Sequence, residues 1–249
     1  MIEPIQTYLK RQLAKRQAYF ESGPFSVGLS LDSDDPYVNY AVPAAGSEPT
    51  PEEVASLAEV FESRSRHPRL EYIPDWAPKV EPALLEAGFS VECRTPLMVC
   101  RRIDLSIPTA PPGIMVQTPK SDRDIRHMLA ILSESFGSAP ATNLEILKLE
   151  RRIQEGAIVQ AAYEIGSRRV VGGGSCTDLA GGITEVVGIA VSHESRGKGI
   201  GGYLTAKISE AAFEAGADYC FLMAATIREV AIYGRVGYRQ IGQVLHISR

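Results

Sequence analysis

The stretch Glu185 to Gly202 reads EVVGIAVSHESRGKGIGG, and its reading decides the fold class. An apolar run ends at Val191 and a polar turn follows. Arg196-Gly197-Lys198-Gly199-Ile200-Gly201 then opens a segment, GGYLTAKISEAAFEAG, with helical periodicity. Glycines let a backbone approach a ligand closely and turn successive N–H groups toward one point. The helix starting here adds the positive end of its dipole, and Arg196 and Lys198 add formal charge. Strand, cationic glycine loop and helix, in that order, predict a site for a phosphate or pyrophosphate.

Two familiar phosphate loops do not fit. The pattern is not GxxxxGK[ST], and a GxGxxG dinucleotide loop belongs to the first strand and helix of its domain. Here several strands read as antiparallel come first. A plain tight turn would need neither Gly197, Gly199 and Gly201 together nor two cations beside them.

Working outward, GIMVQTPK from Gly113 reads as a strand and SDRDIRHMLAILSESFG as a helix. Ser121 is its expected N-cap with Asp124 three residues on, a variant of the capping box, and Ile125, Met128, Leu129 and Leu132 share one face. TNLEILKLERRIQEG predicts a second helix with Leu144, Leu147 and Ile153 inward. The strands AIVQAAYEI, RRVVGGGSCTDL and ITEVVGIAV lead into the glycine loop. Beyond its helix come a strand DYCFLMA, a helix REVAIYGRVG and a strand QIGQVLHIS. The fold class expected is α/β, a mixed central sheet with flanking helices.

Three prolines within Ile107 to Gly113, IPTAPPG, mark a linker between residues 1–107 and 113–249. The first part reads as a faint copy of the second. YVNYAV predicts a strand, PEEVASLAEVFESR a helix, and ALLEAGF at Ala83–Phe89 parallels IYGRVGY at Ile232–Tyr238. Both end a helix in glycine and then an aromatic, where glycine relieves the left-handed C-cap. Two pseudo-repeats are expected.

Lys and Arg total 26 against 30 for Asp and Glu, a net charge of -4 that gives no basis for capturing nucleic acid or an anionic membrane. The first residues, MIEPIQTYLKRQLAKRQAYF, lack the apolar core of a secretory signal, and no run approaches the roughly 20 apolar residues of a membrane span. Cys93, Cys100, Cys176 and Cys220, with His67, His127, His193 and His246, show no metal-ligand spacing. The expectation is a cytoplasmic protein with reduced thiols, no metal, no nucleic-acid partner and no membrane.

Arg196-x-x-Gly199-x-Gly201 matches the Q/R-x-x-G-x-G/A signature of the GNAT superfamily of N-acetyltransferases, and Gly113 to Arg249 resembles that family in its order of elements. The resemblance implies a GNAT fold, with a degenerate first repeat, and acetyl-CoA as the cofactor. It puts the pyrophosphate of coenzyme A on Arg196, Gly197, Lys198, Gly199, Ile200, Gly201 and Gly202. The pantetheine arm would run along the backbone of Gly188 to Val191, including Ile189 and Ala190. The family pattern A-x-x-x-Y-x-x-x-G-F ends here as Tyr233-Gly234-Arg235-Val236-Gly237-Tyr238, which implies that Tyr233 protonates the departing thiolate. Relatives often carry asparagine where this chain has Thr226.

Attack on a thioester needs a neutral amine, so a base helps. TEVVGIAVSHESRGKG is similar to the histone-acetylating branch, which implies Glu185 as that base. If the strand alternates without a bulge, Glu185 shares a face with Val187, Ile189 and Val191, and apolar neighbours would raise its pKa. His193 is the weaker alternative. The first repeat has Leu84 where the acid tyrosine would fall, and AAGSEPTP at Ala44–Pro51 in place of the cationic loop. The acceptor expected is a small-molecule or peptide amine. The other reading is a non-catalytic acyl-CoA sensor, which would share the cofactor but not need Tyr233.

Overall fold

Ile5, Tyr8, Leu9 and Leu13 recur at helical spacing and are buried along one side of α1 (Ile2–Leu13). The charges scattered through this segment lie on the opposite face, which is why a search for an apolar run passes over the helix. The computed structural model describes residues 1–249. It consists of two compact units, one of Met1–Leu97 with Ile241–Arg249, the other of Met98–Gln240. No helix is long and apolar enough to cross a membrane.

In the first unit β1 (Ala18–Ser22), β2 (Phe25–Leu29) and β3 (Tyr40–Pro43) form an antiparallel meander. The chain crosses over through α2 (Pro51–Glu62) to β4 (Arg69–Tyr72), which runs parallel to β3, then through α3 (Val80–Glu86) to β5 (Ser90–Arg101). Val27, Val42, Leu57, Phe61 and Leu70 fill the core beneath α2. The expected strand YVNYAV starts later than its apolar residues suggest, because Pro36–Val38 is a 3-10 turn. Asp35 caps that turn by accepting from the Tyr37 N–H, and the Asn39 amide donates to the carbonyls of Ser33 and Asp35.

The second unit repeats the plan. After β6 (Ile114–Gln117), α4 (Asp122–Phe136) and α5 (Asn143–Gln154), the strands β7 (Val159–Glu164), β8 (Val170–Cys176) and β9 (Ile183–Val191) form an antiparallel meander. α6 (Ile200–Glu214) leads to β10 (Tyr219–Met223), parallel to β9, and α7 (Ile227–Val236) leads to β11 (Arg239–Ser248). The sheet order is β10-β9-β8-β7-β6. From Ile241 onward β11 belongs to the first unit, where it pairs antiparallel with β4. The successions β1-β2-β3-α2-β4-α3-β5 and β7-β8-β9-α6-β10-α7-β11 are the two pseudo-repeats.

Successive strand residues face opposite sides of a sheet. A Cβ on Gly173 would meet Met128 of α4, and one on Gly174 would meet Ile208 of α6, so these helices cover opposite faces. Ser121 caps α4 by accepting from the Asp124 N–H, and Gly137 closes it in the left-handed conformation. Ile125 and Met128 are buried as expected, with Leu132 packed beside them.

The second helix corrects one expectation. Leu144 and Leu147 are 60% and 58% exposed, and Ile146 is the buried residue. Ile146, Leu149 and Ile153 fall within about 60° of one another at 100° per residue, whereas Leu144 lies on the far side. Thr142 and Glu145 close the N-terminus of α5 with a full capping box.

Gly237 ends α7 at φ 106°, and a Cβ there would lie 2.0 Å from the Asp104 carbonyl oxygen. Gly237→Ala is therefore expected to cost about 3–5 kcal/mol through strain and a backbone clash. A urea melt of the variant checks this. At Gly88, the counterpart in the first repeat (φ 85°), nothing lies within 4 Å of the added atom, so alanine there should cost clearly less.

Candidate functional site

The site is made where two parallel strands part. β10 pairs with β9 only from Tyr219 to Phe221, against Ile183 to Glu185. Beyond Glu185 the edge of β9 on that side has no partner strand. A cleft of about 740 Å³ lies there, lined by Ile189, Ala190 and Val191, by the glycine loop and by α7. Glu185 stands at the last paired position, where the strands begin to separate, and is not among the cleft's lining residues.

β9 does not alternate regularly. Gly173 pairs with Ala190 but Ser175 with Val187, so Gly188 and Ile189 together oppose Gly174, and Gly188 takes φ 65°. A Cβ on Gly188 would meet Leu132 of α4, whereas Ile189 turns toward Ile208 of α6. The bulge thus breaks the expected row. Glu185 keeps the phase of Val187 but not that of Ile189 and Val191.

Two glycines of the loop take the left-handed conformation. Gly197 and Gly199 have φ 79° and 81°, and nothing lies within 4 Å of a Cβ built on Gly197. Gly199 caps α6 with no side-chain hydrogen bond, and the first turn of α6 contains no acidic residue. By contrast Thr50 with Glu53, Thr142 with Glu145, and Thr226 with Glu229 close α2, α5 and α7 by capping boxes. The first N–H groups of α6 are left for an outside acceptor, and the helix dipole favours an anion there.

The two cations of the loop part company. Arg196 lines the cleft, its Nε donating to the Val191 carbonyl at 3.0 Å and its guanidinium reaching Ser135 Oγ of α4 at 3.3 Å. Lys198 instead lines a second hollow of about 520 Å³ with Pro111, Pro112 and Glu164. Ser195 and Ile200 border both spaces, so the loop is the wall between them.

Tyr233 lines the same cleft as Arg196 and is 8% exposed. Its ring packs 6.3 Å from that of Tyr238, whose hydroxyl shares a 2.6 Å hydrogen bond with Ser209. Burial first, and then the Glu229 carboxylate, push the Tyr233 phenol well above its ordinary value. It is therefore held protonated, in the state that can donate. Thr226 and Glu229 also line the cleft. Glu229 accepts from the N–H groups of Ala225 and Thr226, which fixes the start of α7 about two turns before Tyr233.

His193 lies exposed on a 3-10 turn outside the cleft. All four cysteines are free thiols. Burial pushes the Cys100 and Cys176 thiols up to about 12, and Cys220 further. None of these three is poised as a nucleophile. Sequence reading missed Ser135 and Phe136, which bring the end of α4 to the cleft. Phe136 is 61% exposed, and an apolar residue at the end of an amphipathic helix gave no local signal.

The acetyltransferase (GNAT) family model matches residues 125–238, the span that holds every cleft-lining residue but Pro108. The chain carries a GNAT domain. Its structure is similar to a GCN5-related N-acetyltransferase from Kribbella flavida, with TM-score 0.80 and 23% identity over 100% of this chain and 95% of that one. It is also similar to a tandem GNAT protein from the clavulanic acid biosynthesis pathway, with TM-score 0.66 and 12% identity over 90% and 78% of the two chains. A conserved protein of unknown function from Staphylococcus epidermidis gives TM-score 0.64 and 18% identity over 92% of each chain. These likenesses establish the fold, and the tandem relative is compatible with its duplication. No curated protein matches the chain in sequence.

Proposed function

We propose that the GNAT domain transfers an acetyl group from acetyl-CoA directly to a primary amine. The observation that carries this reading is one cleft with an uncapped, glycine-lined helix N-terminus, an unpaired strand edge and a buried protonated phenol. The N–H groups of Gly197 to Gly202 would hold the pyrophosphate, and Arg196 would add charge from the cleft side. Ile189, Ala190 and Val191 would hydrogen-bond the pantetheine amides through their backbone.

In the proposed reaction the amine nitrogen attacks the thioester carbon and the C–S bond breaks. The thiolate takes the Tyr233 proton, and the proton lost from the amine goes to Glu185, directly or through water. The products are an amide and free coenzyme A thiol.

The first repeat would take no part in cofactor binding. The N-terminus of α2 is closed by the Thr50–Glu53 box and carries Glu52 and Glu53 where α6 carries none. Leu84 is fully buried in the core.

Glu185→Gln tests the assignment of the base. The loss in kcat/KM should be about 100-fold near pH 7, on the scale of general-base contributions, and should shrink as pH rises and the amine deprotonates itself. A loss that stays constant across a pH profile would give Glu185 a positioning role instead.

A further inference from the structure

Resting on the reading of the cleft as a coenzyme A site, a second feature of α7 bears on which donors fit. Arg228 and Arg235 are seven residues apart, two helical turns, so they share one side of α7 about 10 Å apart along its axis. Both line the cleft and both are exposed. Neither is paired with a carboxylate, although Arg101, Arg126, Arg151, Arg152 and Arg169 of the same unit each hold an ion pair. Glu229, next to Arg228, is committed to the N–H groups of Ala225 and Thr226. Ala231 lies between the two arginines and leaves the rim open.

The rim is close to the glycine loop. A Cβ on Gly202 would lie 3.5 Å from Ile232 and 3.8 Å from Val236, the neighbours of Ala231 and Arg235. A ligand with its pyrophosphate on the start of α6 can therefore reach this side of α7 with a further anionic group. Unpaired arginines suit a phosphomonoester, whose oxygens accept two parallel N–H bonds from one guanidinium.

We propose that Arg228 and Arg235 form a distinct anion subsite for the 3′-phosphate of the donor nucleotide, and that they select complete coenzyme A thioesters over donors lacking that group. The subsite lies on the helix that carries Tyr233, so donor selection and the acid belong to one element.

Calorimetric titration of coenzyme A and of 3′-dephospho-coenzyme A into wild type and the Arg228→Ala/Arg235→Ala variant tests this. Wild type should bind coenzyme A about tenfold more tightly than the dephospho form, on the scale of charge-assisted pairs. That preference should shrink with added salt. In the variant it should vanish, with affinity for the dephospho form unchanged. Equal binding of both ligands by wild type would overturn the subsite and leave the cleft reading standing. So would a variant that weakens both ligands alike. Failure of wild type to bind either ligand would overturn the cleft reading and the subsite together.

Discussion

Tyr233→Phe is expected to lower turnover about 100-fold while leaving the affinity for acetyl-CoA nearly unchanged. Phenylalanine keeps the ring, its burial and its packing against Tyr238, and removes only the proton donor. A leaving thiolate then takes its proton from water, and general-acid losses run from about 10²- to 10⁴-fold. Burial and Glu229 both disfavour the phenolate, so the donor remains charged with its proton throughout the neutral range. Steady-state kcat and KM for wild type and variant, with a thermal melt of each, check the prediction. A binding protein that senses acyl-CoA without turning it over would keep its ligand and show no activity to lose. Unchanged turnover would remove Tyr233 from the chemistry.

The second large effect is on stability. Arg69→Met should destabilise the first unit by about 3–5 kcal/mol, the scale on which one partner is removed from a buried ion pair. Arg69 is 1% exposed. Its guanidinium donates to Glu71 at 3.1 Å, to both oxygens of Glu92 and to the Pro36 carbonyl. It also meets His246 Nδ1 at 2.9 Å, while Thr95 Oγ1 meets the other ring nitrogen at 3.0 Å. Methionine fills part of the volume but leaves the buried Glu71 carboxylate without its arginine. Most of the cost comes from Glu71, because Glu92 is more exposed and can turn to water.

The same cluster gives a pH signature. Burial alone would raise the Glu71 carboxyl, but the hydrogen bond and charge of His246, followed by those of Arg69, outweigh it and hold the group below 4.5. A depressed carboxyl stabilises the fold above its unfolded value and loses that contribution as pH falls through its folded value. Wild type should therefore lose stability below about pH 4.5. The Arg69→Met variant should show a shallower loss in that window. Urea melts between pH 3 and 7 check both slopes, and equal slopes would mean that Arg69 does not set the charge state of Glu71.

What the sequence discloses here is local. The glycine loop, the Ser121 cap and the glycine that ends α7 each depend on residues a few positions apart, and each can be read from its neighbours. The succession of elements after Gly113, and the part of its paler copy from Tyr37 onward, follow from the same short-range signals, whereas α1, β1 and β2 gave none that was read. The parting of β9 from β10 is different, because it depends on where a pairing between distant segments stops. The bulge at Gly188 likewise appears only when β8 is laid against β9. Arg69 and His246 are 177 residues apart, so neither reveals the other. Leu144 and Leu147 mislead for another reason. They are apolar residues on an outer face, and only the packing of Ile146 and Ile153 shows which side of α5 is inside.

Whether the N-terminus of α6 holds the pyrophosphate of acetyl-CoA can be read from a calorimetric titration. Gly201→Glu is the control, because its added Cβ would meet only Val191, at 3.9 Å, and the residue has no positive φ. The substitution puts a carboxylate on the anion site with little strain on the helix. Saturable binding of acetyl-CoA at one site per chain is expected, weakened at least 100-fold in a variant that melts as wild type does, since a like charge replaces the cradle. Equal binding by both proteins would put the pyrophosphate elsewhere than on α6, and no binding by wild type would remove acetyl-CoA from the cleft.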